Sequence, residues 1–242
     1  MRVAVVSDIH SNLHALEAVL AAIDADAPDE LWCLGDVVGY GPRPSECCAL
    51  IERRADVCLA GNHDLAVRGT LDMNEFHGDA ARAARLNRAA LTPESHAYLD
   101  TLEPKGAAHG VALYHGSARD PVWEYVLSDE AAVATLALAG SPVVLVGHSH
   151  IALRFTESGR ELEGVLAPAG TVAELADGPT ILNPGSVGQP RDGDPRAAYL
   201  LLDLSARRAE FRRVEYDVAR TQREMEDADM PGALAARLAF GL

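Results

Sequence analysis

The stretch VAVVSDIHSNLHALEAVL (Val3–Leu20) contains an apolar run, a polar break and a segment with helical spacing. The run Val3–Val6 is typical of a buried strand. Asp8 and His10 follow it, and we expect them to converge because side chains at i and i+2 of an extended segment point to the same side. An acid and an imidazole stabilise a core poorly but are common metal ligands. The stretch therefore predicts a strand–helix unit that begins a metal site.

The same order of apolar run and polar end recurs in LWCLGD (Leu31–Asp36) and VCLAGNHD (Val57–Asp64). The spacing of Asp8, Asp36 and Asn62 is roughly that of one strand–helix unit. In open α/β sheets, ligands bind at the carboxyl ends of parallel strands. These three residues are therefore predicted to lie at one edge of a parallel sheet.

Two later apolar runs also end in imidazoles. GVALYHGS (Gly110–Ser117) carries His115, and PVVLVGHSH (Pro142–His150) carries His148 and His150. So many donors exceed the needs of one cation, whereas two cations sharing a bridging carboxylate would use them. The mixture of imidazole, carboxylate and amide oxygen suits Mn, Fe, Zn or Ni better than Ca.

The rest of the chain predicts one domain, residues 1–242. Residues 71–102 indicate two helices, an excursion that would place Phe76 and His77 at the mouth of the site if it overhangs. From residue 151 the pattern favours shorter strands in a second, largely antiparallel sheet. Residues 217–242 are expected to form a peripheral helical tail.

Composition excludes some functions. The formal net charge is −15, with 36 acidic against 21 Lys and Arg residues, which argues against generic binding to nucleic acid or to an anionic membrane. The chain has no P-loop and no HExxH motif, and GHSHI (147–151) departs from the GxSxG elbow. The four cysteines form no CxxC pair, and neither a secretory leader nor a membrane-length apolar run is apparent, so a cytoplasmic protein is expected.

Five ordered blocks resemble those of the calcineurin-like metallophosphoesterases: DIH (8–10), GDVVG (35–39), GNHD (61–64), HG (115–116) and GHSH (147–150). NPGSV (183–187) followed by GQPRDGD (188–194) is similar to the compact bacterial phosphodiesterase branch. The resemblance implies an α/β fold, a four-layer α/β/β/α sandwich of two mixed sheets flanked by helices.

The resemblance also implies roles for these residues. The first ion would be held by Asp8, His10 and His150. The second would be held by Asn62, His115 and His148. Asp36 would bridge the two ions, and a hydroxide shared by them would attack phosphorus. His63 would be the general acid, reaching the substrate from an irregular turn, with Asp64 fixing its tautomer and favouring its protonated form. The candidate substrate contacts are Tyr40, Trp123, Tyr125 and Arg191.

The function implied is hydrolysis of a small phosphodiester or phosphomonoester with two divalent transition-metal ions, Mn²⁺ being the first choice. Two alternatives stay open. One is hydrolysis of a dinucleoside polyphosphate at the same site. The other is a non-catalytic interaction scaffold, although every ligand position is filled and His63 is present. The subunit count is also open, since relatives are often dimers or larger.

Overall fold

The structure is a computed structural model that describes residues 1–159, 161–175 and 178–242. Within these ranges the strands are β1 (Arg2–Val6), β2 (Glu30–Cys33), β3 (Val57–Cys58), β4 (Lys105–Ala108), β5 (Val111–Tyr114), β6 (Val143–Leu145), β7 (Ala152–Ser158), β8 (Glu161–Leu166), β9 (Val172–Glu174), β10 (Thr180–Pro184), β11 (Ala197–Asp203) and β12 (Arg208–Val214). The α-helices are α1 (Leu13–Asp26), α2 (Pro44–Arg54), α3 (Asn62–Arg68), α4 (Gly78–Ala90), α5 (Pro93–Asp100), α6 (Asp129–Ala139), α7 (Val218–Asp227) and α8 (Gly232–Arg237).

The strands form two mixed sheets, which we call sheet A and sheet B. Sheet A has the order β3-β2-β1-β11-β12-β9, and sheet B has the order β4-β5-β6-β10-β7-β8. β1, β2 and β3 are parallel, as are β5, β6 and β10, while the remaining pairs are antiparallel. The carboxyl ends of the parallel strands carry the loops with the candidate ligands.

The late strands do not form a separate sheet, so that expectation was wrong. β7, β8 and β10 join sheet B, and β9, β11 and β12 join sheet A. β11 pairs with the first strand of the chain, Val5 lying opposite Leu200. The local pattern indicated antiparallel strands correctly, but pairing over such a sequence separation depends on which buried faces meet.

Four layers follow from where the side chains are buried. Val5, Trp32 and Leu200 of sheet A face Leu113 and Leu145 of sheet B in an apolar layer between the sheets. Helices α1 and α2 cover the other face of sheet A, and α6 covers the other face of sheet B. The predicted α/β/β/α sandwich is confirmed.

The first helix shows how local sequence and packing agree. Asn12 caps it, its side-chain oxygen accepting a hydrogen bond from the backbone N–H of Ala15 (3.2 Å). Leu16, Val19 and Ile23 recur on one face and are buried against sheet A. Each buried aliphatic side chain contributes about 1.5–3 kcal/mol.

Residues 217–242 were expected to form a peripheral tail, but helices α7 and α8 pack against the body of the protein. Met225 and Leu238 are buried in an apolar cluster with Ala83 of α4, and Tyr40 packs against this cluster. The sequence of α7 is mostly polar, which is typical of a surface helix. Only a few of its residues, such as Met225, pack into the cluster. None of the helices in the described ranges is both long and apolar enough to cross a bilayer.

Candidate metal centre

Five candidate ligands lie in loops with left-handed backbone, which is uncommon for residues other than glycine and clusters at functional sites. The φ angles are 55° for Asp8, 50° for His10, 52° for Asp36, 64° for His148 and 60° for His150. β1 ends before Asp8 and His10, β2 ends before Asp36, and β6 ends before His148 and His150. Asp8 and His10 therefore converge as expected, but through left-handed turns rather than through the alternation of an extended strand.

Asp8, His10 and His150 form the first cluster, with one ligand atom of each within 4.8 Å of the others. The Nε2 atoms of the two histidines are 3.0 Å apart, and Asp8 Oδ1 is 3.5 Å from His150 Nε2. The Nδ1 atoms contact carbonyl oxygens, His10 that of Val38 (3.1 Å) and His150 that of Gln189 (2.6 Å). Both Nε2 atoms are thereby free to bind a metal.

Asp36, His115 and His148 form the second cluster by the same criterion. His115 Nε2 is 3.5 Å from Asp36 Oδ2 and 3.2 Å from Asn62 Oδ1. Asp36 Oδ2 is also 3.6 Å from His10 Nε2. Asp36 therefore lies between the two clusters.

The chemistry of these residues fits cations. Asp8 Oδ1 and Asp36 Oδ2 are buried and have no hydrogen-bond partner in the described part of the chain. Burial raises the pKa of Asp8 to about 7 and that of Asp36 well above its usual range, and it lowers the pKa values of His10 and His150 well below theirs. Unpartnered buried carboxylate oxygens beside neutral imidazoles are suited to two adjacent divalent cations.

His63 lies in the first turn of α3 rather than in an irregular turn. Its ring is 4.4 Å from that of Tyr40 and 4.9 Å from that of Phe76, and its Nδ1 has no hydrogen-bond partner among the described residues. One of its nitrogens lies within 4.8 Å of a ring nitrogen of His10 and a carboxylate oxygen of Asp36. His63 therefore borders the first cluster and Asp36.

The expected contact between Asp64 and His63 is not formed. The Asp64 carboxylate accepts hydrogen bonds from the backbone N–H groups of Gly61 (2.9 Å), Val38 (3.0 Å) and Val37 (3.2 Å). Adjacent residues of a helix do not face each other. Asp64 thus holds the loop after β2 against α3, and burial lowers the pKa of His63 to about 3 instead of favouring its protonated form.

The four candidate substrate contacts all border the clusters. The Tyr125 ring stacks on His148 with centroids 4.1 Å apart, and the Trp123 carbonyl oxygen is 3.1 Å from His148 Nε2. The Tyr40 ring is 4.5 Å from that of His10, and the Arg191 guanidinium lies 5.6 Å over the Tyr40 ring. The rings of Tyr40 and Tyr125 and the Arg191 guanidinium therefore lie beside the two clusters.

Phe76, in the segment before α4, is also at the mouth. Its ring packs 5.4 Å from that of Trp123 as well as against His63. The excursion therefore overhangs the site on the side of His63, whereas His77 makes no contact with the site among the described residues.

Asn87 of α4 is a positioning residue that the sequence analysis missed. Its Oδ1 accepts hydrogen bonds from Ser11 Oγ (2.6 Å) and the Gly39 N–H (2.7 Å), and its Nδ2 donates to the Gly41 carbonyl oxygen (2.9 Å). It fixes the loop that carries Tyr40. The available signal was a polar residue at a buried position of an Ala-rich helix.

Several known proteins are similar to this chain. The chain is 36% identical to an uncharacterized protein of Methanocaldococcus jannaschii over 244 residues, 99% of this chain and 98% of that one. It is 40% identical to a metallophosphoesterase from Sphaerobacter thermophilus of known structure, with a TM-score of 0.91 over 100% of this chain and 99% of that one. A symmetrical bis(5'-nucleosyl)-tetraphosphatase of Ectopseudomonas mendocina is 38% identical over 68 residues, 27% of this chain and 25% of that one.

A sequence model of the calcineurin-like phosphoesterase superfamily domain matches residues 1–207. Together with the two mixed sheets and the paired Asp and His clusters, this match identifies the family. The chain belongs to the calcineurin-like phosphoesterase superfamily.

Proposed function

We propose that this protein hydrolyses small phosphodiesters or phosphomonoesters with two divalent metal ions, Mn²⁺ being the first candidate. The observation that carries the proposal is the position of Asp36 between two clusters of buried donors. Asp8, His10 and His150 would hold one ion, and Asn62, His115 and His148 the other. Ions held there would neutralise charge on the phosphoryl oxygens and lower the pKa of bound water.

Arg191 adds a fixed positive charge to this site. Its guanidinium lies over the Tyr40 ring, and its charge contributes to lowering the pKa values of His10, His63 and His150. In a chain with a net charge of −15, this local field favours an anionic substrate. Arg191 would therefore attract an anionic substrate to the metal-binding face.

His63 would give a proton to the leaving oxygen. It borders the first cluster, and its Nδ1 has no hydrogen-bond partner in the described residues. The anionic phosphoryl group of a bound substrate beside the ring would favour the protonated form that burial alone disfavours. Asp64 contributes by holding the turn that presents His63, not by contacting its ring.

The second candidate is hydrolysis of a dinucleoside polyphosphate at the same site. It is favoured by the short match to the bis(5'-nucleosyl)-tetraphosphatase and by the exposed Tyr125 ring at the mouth, where a base could stack. For either substrate we expect the reaction in the cytoplasm, with which the four free cysteines are consistent.

The test is a substrate panel with the metal-free and the Mn²⁺-loaded protein. Bis(p-nitrophenyl) phosphate, p-nitrophenyl phosphate and diadenosine tetraphosphate would be assayed under the same conditions. Turnover of an aryl ester only after metal loading supports the first proposal, and turnover of diadenosine tetraphosphate alone supports the second. No turnover of any substrate, with both ions bound, would support the non-catalytic scaffold.

A further inference from the structure

Two guanidinium groups meet at one side-chain oxygen beside the metal centre. Gln189 Oε1 accepts a hydrogen bond from Arg191 Nη2 (3.0 Å) and another from Arg237 Nη1 (3.5 Å). Gln189 is 1% exposed, and both arginines are partly buried. A neutral amide oxygen thus holds two like charges next to each other.

Neither arginine has a carboxylate partner within 4.0 Å in the part of the chain that the structure describes. The neighbouring acids are engaged elsewhere, Asp192 with Arg213 and Asp194 with Arg196. Two partly buried guanidinium groups without a salt-bridge partner carry a desolvation cost in the free protein. An anionic ligand would supply the missing partner.

The unsatisfied polar atoms of this cluster are donors. Arg191 Nε and Gln189 Nε2 are buried and have no hydrogen-bond partner among the described residues. A guanidinium group offers only donors, arranged in a fork that matches the oxygens of a phosphoryl group. The cluster is therefore built to receive an anion rather than a cation.

The cluster adjoins the first metal-binding group. The backbone oxygen of Gln189 accepts the hydrogen bond from His150 Nδ1 (2.6 Å), and Arg191 lies over Tyr40, whose ring packs on His10. Arg237 reaches this place from α8, beyond the residues 1–207 that match the family. The C-terminal segment thus adds a charge to the edge of the site.

We propose that Arg191, Gln189 and Arg237 form an anion subsite that binds a second phosphoryl group of the substrate, next to the one that is hydrolysed. This inference rests on the proposed phosphoesterase function and narrows its substrate class to compounds with two neighbouring phosphoryl groups. The two guanidinium groups match the charge of such a group, and the Gln189 amide adds one N–H donor.

The experiment compares two inhibitors of bis(p-nitrophenyl) phosphate hydrolysis by the Mn²⁺-loaded protein. Methylphosphonate carries one phosphonate group, and methylenediphosphonate carries two neighbouring ones. We expect the wild-type protein to bind the diphosphonate at least about tenfold more tightly than the monophosphonate. Arg237→Gln should lower that ratio about fivefold or more, whereas Arg237→Lys, which keeps the charge, should retain most of it.

The matched control is Arg223→Gln, which removes one positive charge from an exposed position of α7. It should keep the wild-type ratio and the wild-type rate. Metal chelation by the diphosphonate is common to all variants and cancels when their ratios are compared. An unchanged ratio in Arg237→Gln would overturn the subsite.

Failure of the proposed function gives a different result. If the aryl ester is not hydrolysed at all, calorimetric titration of both phosphonates into the Mn²⁺-loaded wild-type and Arg237→Gln proteins tests the subsite directly. Preferential binding of the diphosphonate that depends on Arg237 would then support the subsite without the hydrolytic activity, and equal binding by both proteins would contradict it.

Discussion

At the scale of single residues, three of the candidate histidine ligands present the nitrogen that a backbone contact leaves free. His10, His115 and His150 contact carbonyl oxygens through Nδ1 and present Nε2. His148 contacts the Trp123 carbonyl oxygen through Nε2. These contacts fix the ring orientations before any ion binds, which lowers the cost of assembling the site.

Asn62→Ala tests the assignment of the second ion. The Asn62 amide oxygen lies 3.2 Å from His115 Nε2. Its loss should lower the affinity for one of the two ions by about 100-fold or more, because even residues that only contact the ligands change metal affinity by about 10–100-fold. Metal analysis at limiting Mn²⁺ should show one ion per chain instead of two. Asn74→Ala, at an exposed position, is the control, and two ions in Asn62→Ala would contradict the assignment.

His63→Ala tests the general acid. Turnover should fall by about 10²–10⁴-fold because proton delivery to the leaving group is lost. The loss should be smaller for a p-nitrophenyl ester than for an alkyl ester, since p-nitrophenolate leaves without a proton. His96→Ala on α5, 39% exposed, serves as the control. Loss of bound metal in His63→Ala would show instead that His63 is a ligand.

At the scale of elements, the start of α3 is packed against the carboxylate of Asp36. A Cβ atom on Gly61 would lie 1.9 Å from Asp36 Oδ1, while Asp36 Oδ1 accepts a hydrogen bond from the His63 N–H (2.8 Å). Glycine is required there because of this close approach, since the φ of Gly61 is an ordinary −95°. The helix and the carboxylate therefore position each other.

Gly61→Ala should displace Asp36 and so weaken metal binding and turnover together. We expect a loss of about 1–3 kcal/mol in the free energy of unfolding from the steric conflict. Denaturant titration and metal analysis would measure both effects. Gly232→Ala is the matched control, because no atom lies within 4 Å of its added Cβ, and a similar effect in both variants would argue against the steric explanation.

Helix α7 is tied to the rest of the molecule through Glu224. The hydrogen bond from Arg43, together with His14, lowers the pKa of Glu224 from 4.5 to about 2. A lowered carboxyl pKa means that the stabilisation is complete above about pH 4.5 and is lost as the pH falls toward 2. The interactions of Glu224 with Arg43 and His14 therefore stabilise the protein fully at neutral pH.

Glu224→Gln should lower the free energy of unfolding at pH 7 by about 0.5–1 kcal/mol, a small effect because solvent screens the pair. The difference from the wild-type protein should shrink as the pH is lowered from 4.5 to 3. Urea unfolding across that range measures it, with Glu226→Gln at an exposed position of α7 as the control. A difference that grows on acidification would exclude this account.

At the scale of the whole molecule, the candidate centre joins the two sheets. Asp8 and Asp36 follow strands of sheet A, and His115 and His148 follow strands of sheet B. The His148 N–H also donates to Asp8 Oδ2 (3.1 Å). Ions bound by both sets would therefore link the sheets at one edge and stabilise the folded chain as a unit.

Removal of the metal should lower the thermal stability. A ligand at 100 times its Kd stabilises by about 2.7 kcal/mol, and each kcal/mol corresponds to about 2–4 °C in a domain of this size. We expect chelation to lower Tm by about 5–10 °C per ion and Mn²⁺ to restore it, as measured by calorimetry. The Tm of Asp36→Asn should change little on chelation. A wild-type Tm that does not change on chelation would contradict the proposal that bound ions link the two sheets.

The sequence by itself determined the strand–helix order, the strand ends at which the donors lie, and the identity of those donors. Apolar runs that end in Asp, Asn or His are local features, and parallel strands bring their carboxyl ends to one edge whatever the details of packing. The positions of Asp8, Asp36 and Asn62 at one edge of sheet A could therefore be predicted from the residues and the family resemblance together.

Tertiary structure alone decided the rest. The division of the late strands between two sheets, the packing of α7 and α8 beside Tyr40, and the contact of Arg237 with Gln189 join residues far apart in sequence. Asp64 could not be assigned from its place beside His63, because the helix turns the two side chains apart and backbone amides of a distant loop satisfy the carboxylate. Such choices depend on which buried groups lack partners, and only the folded chain establishes that.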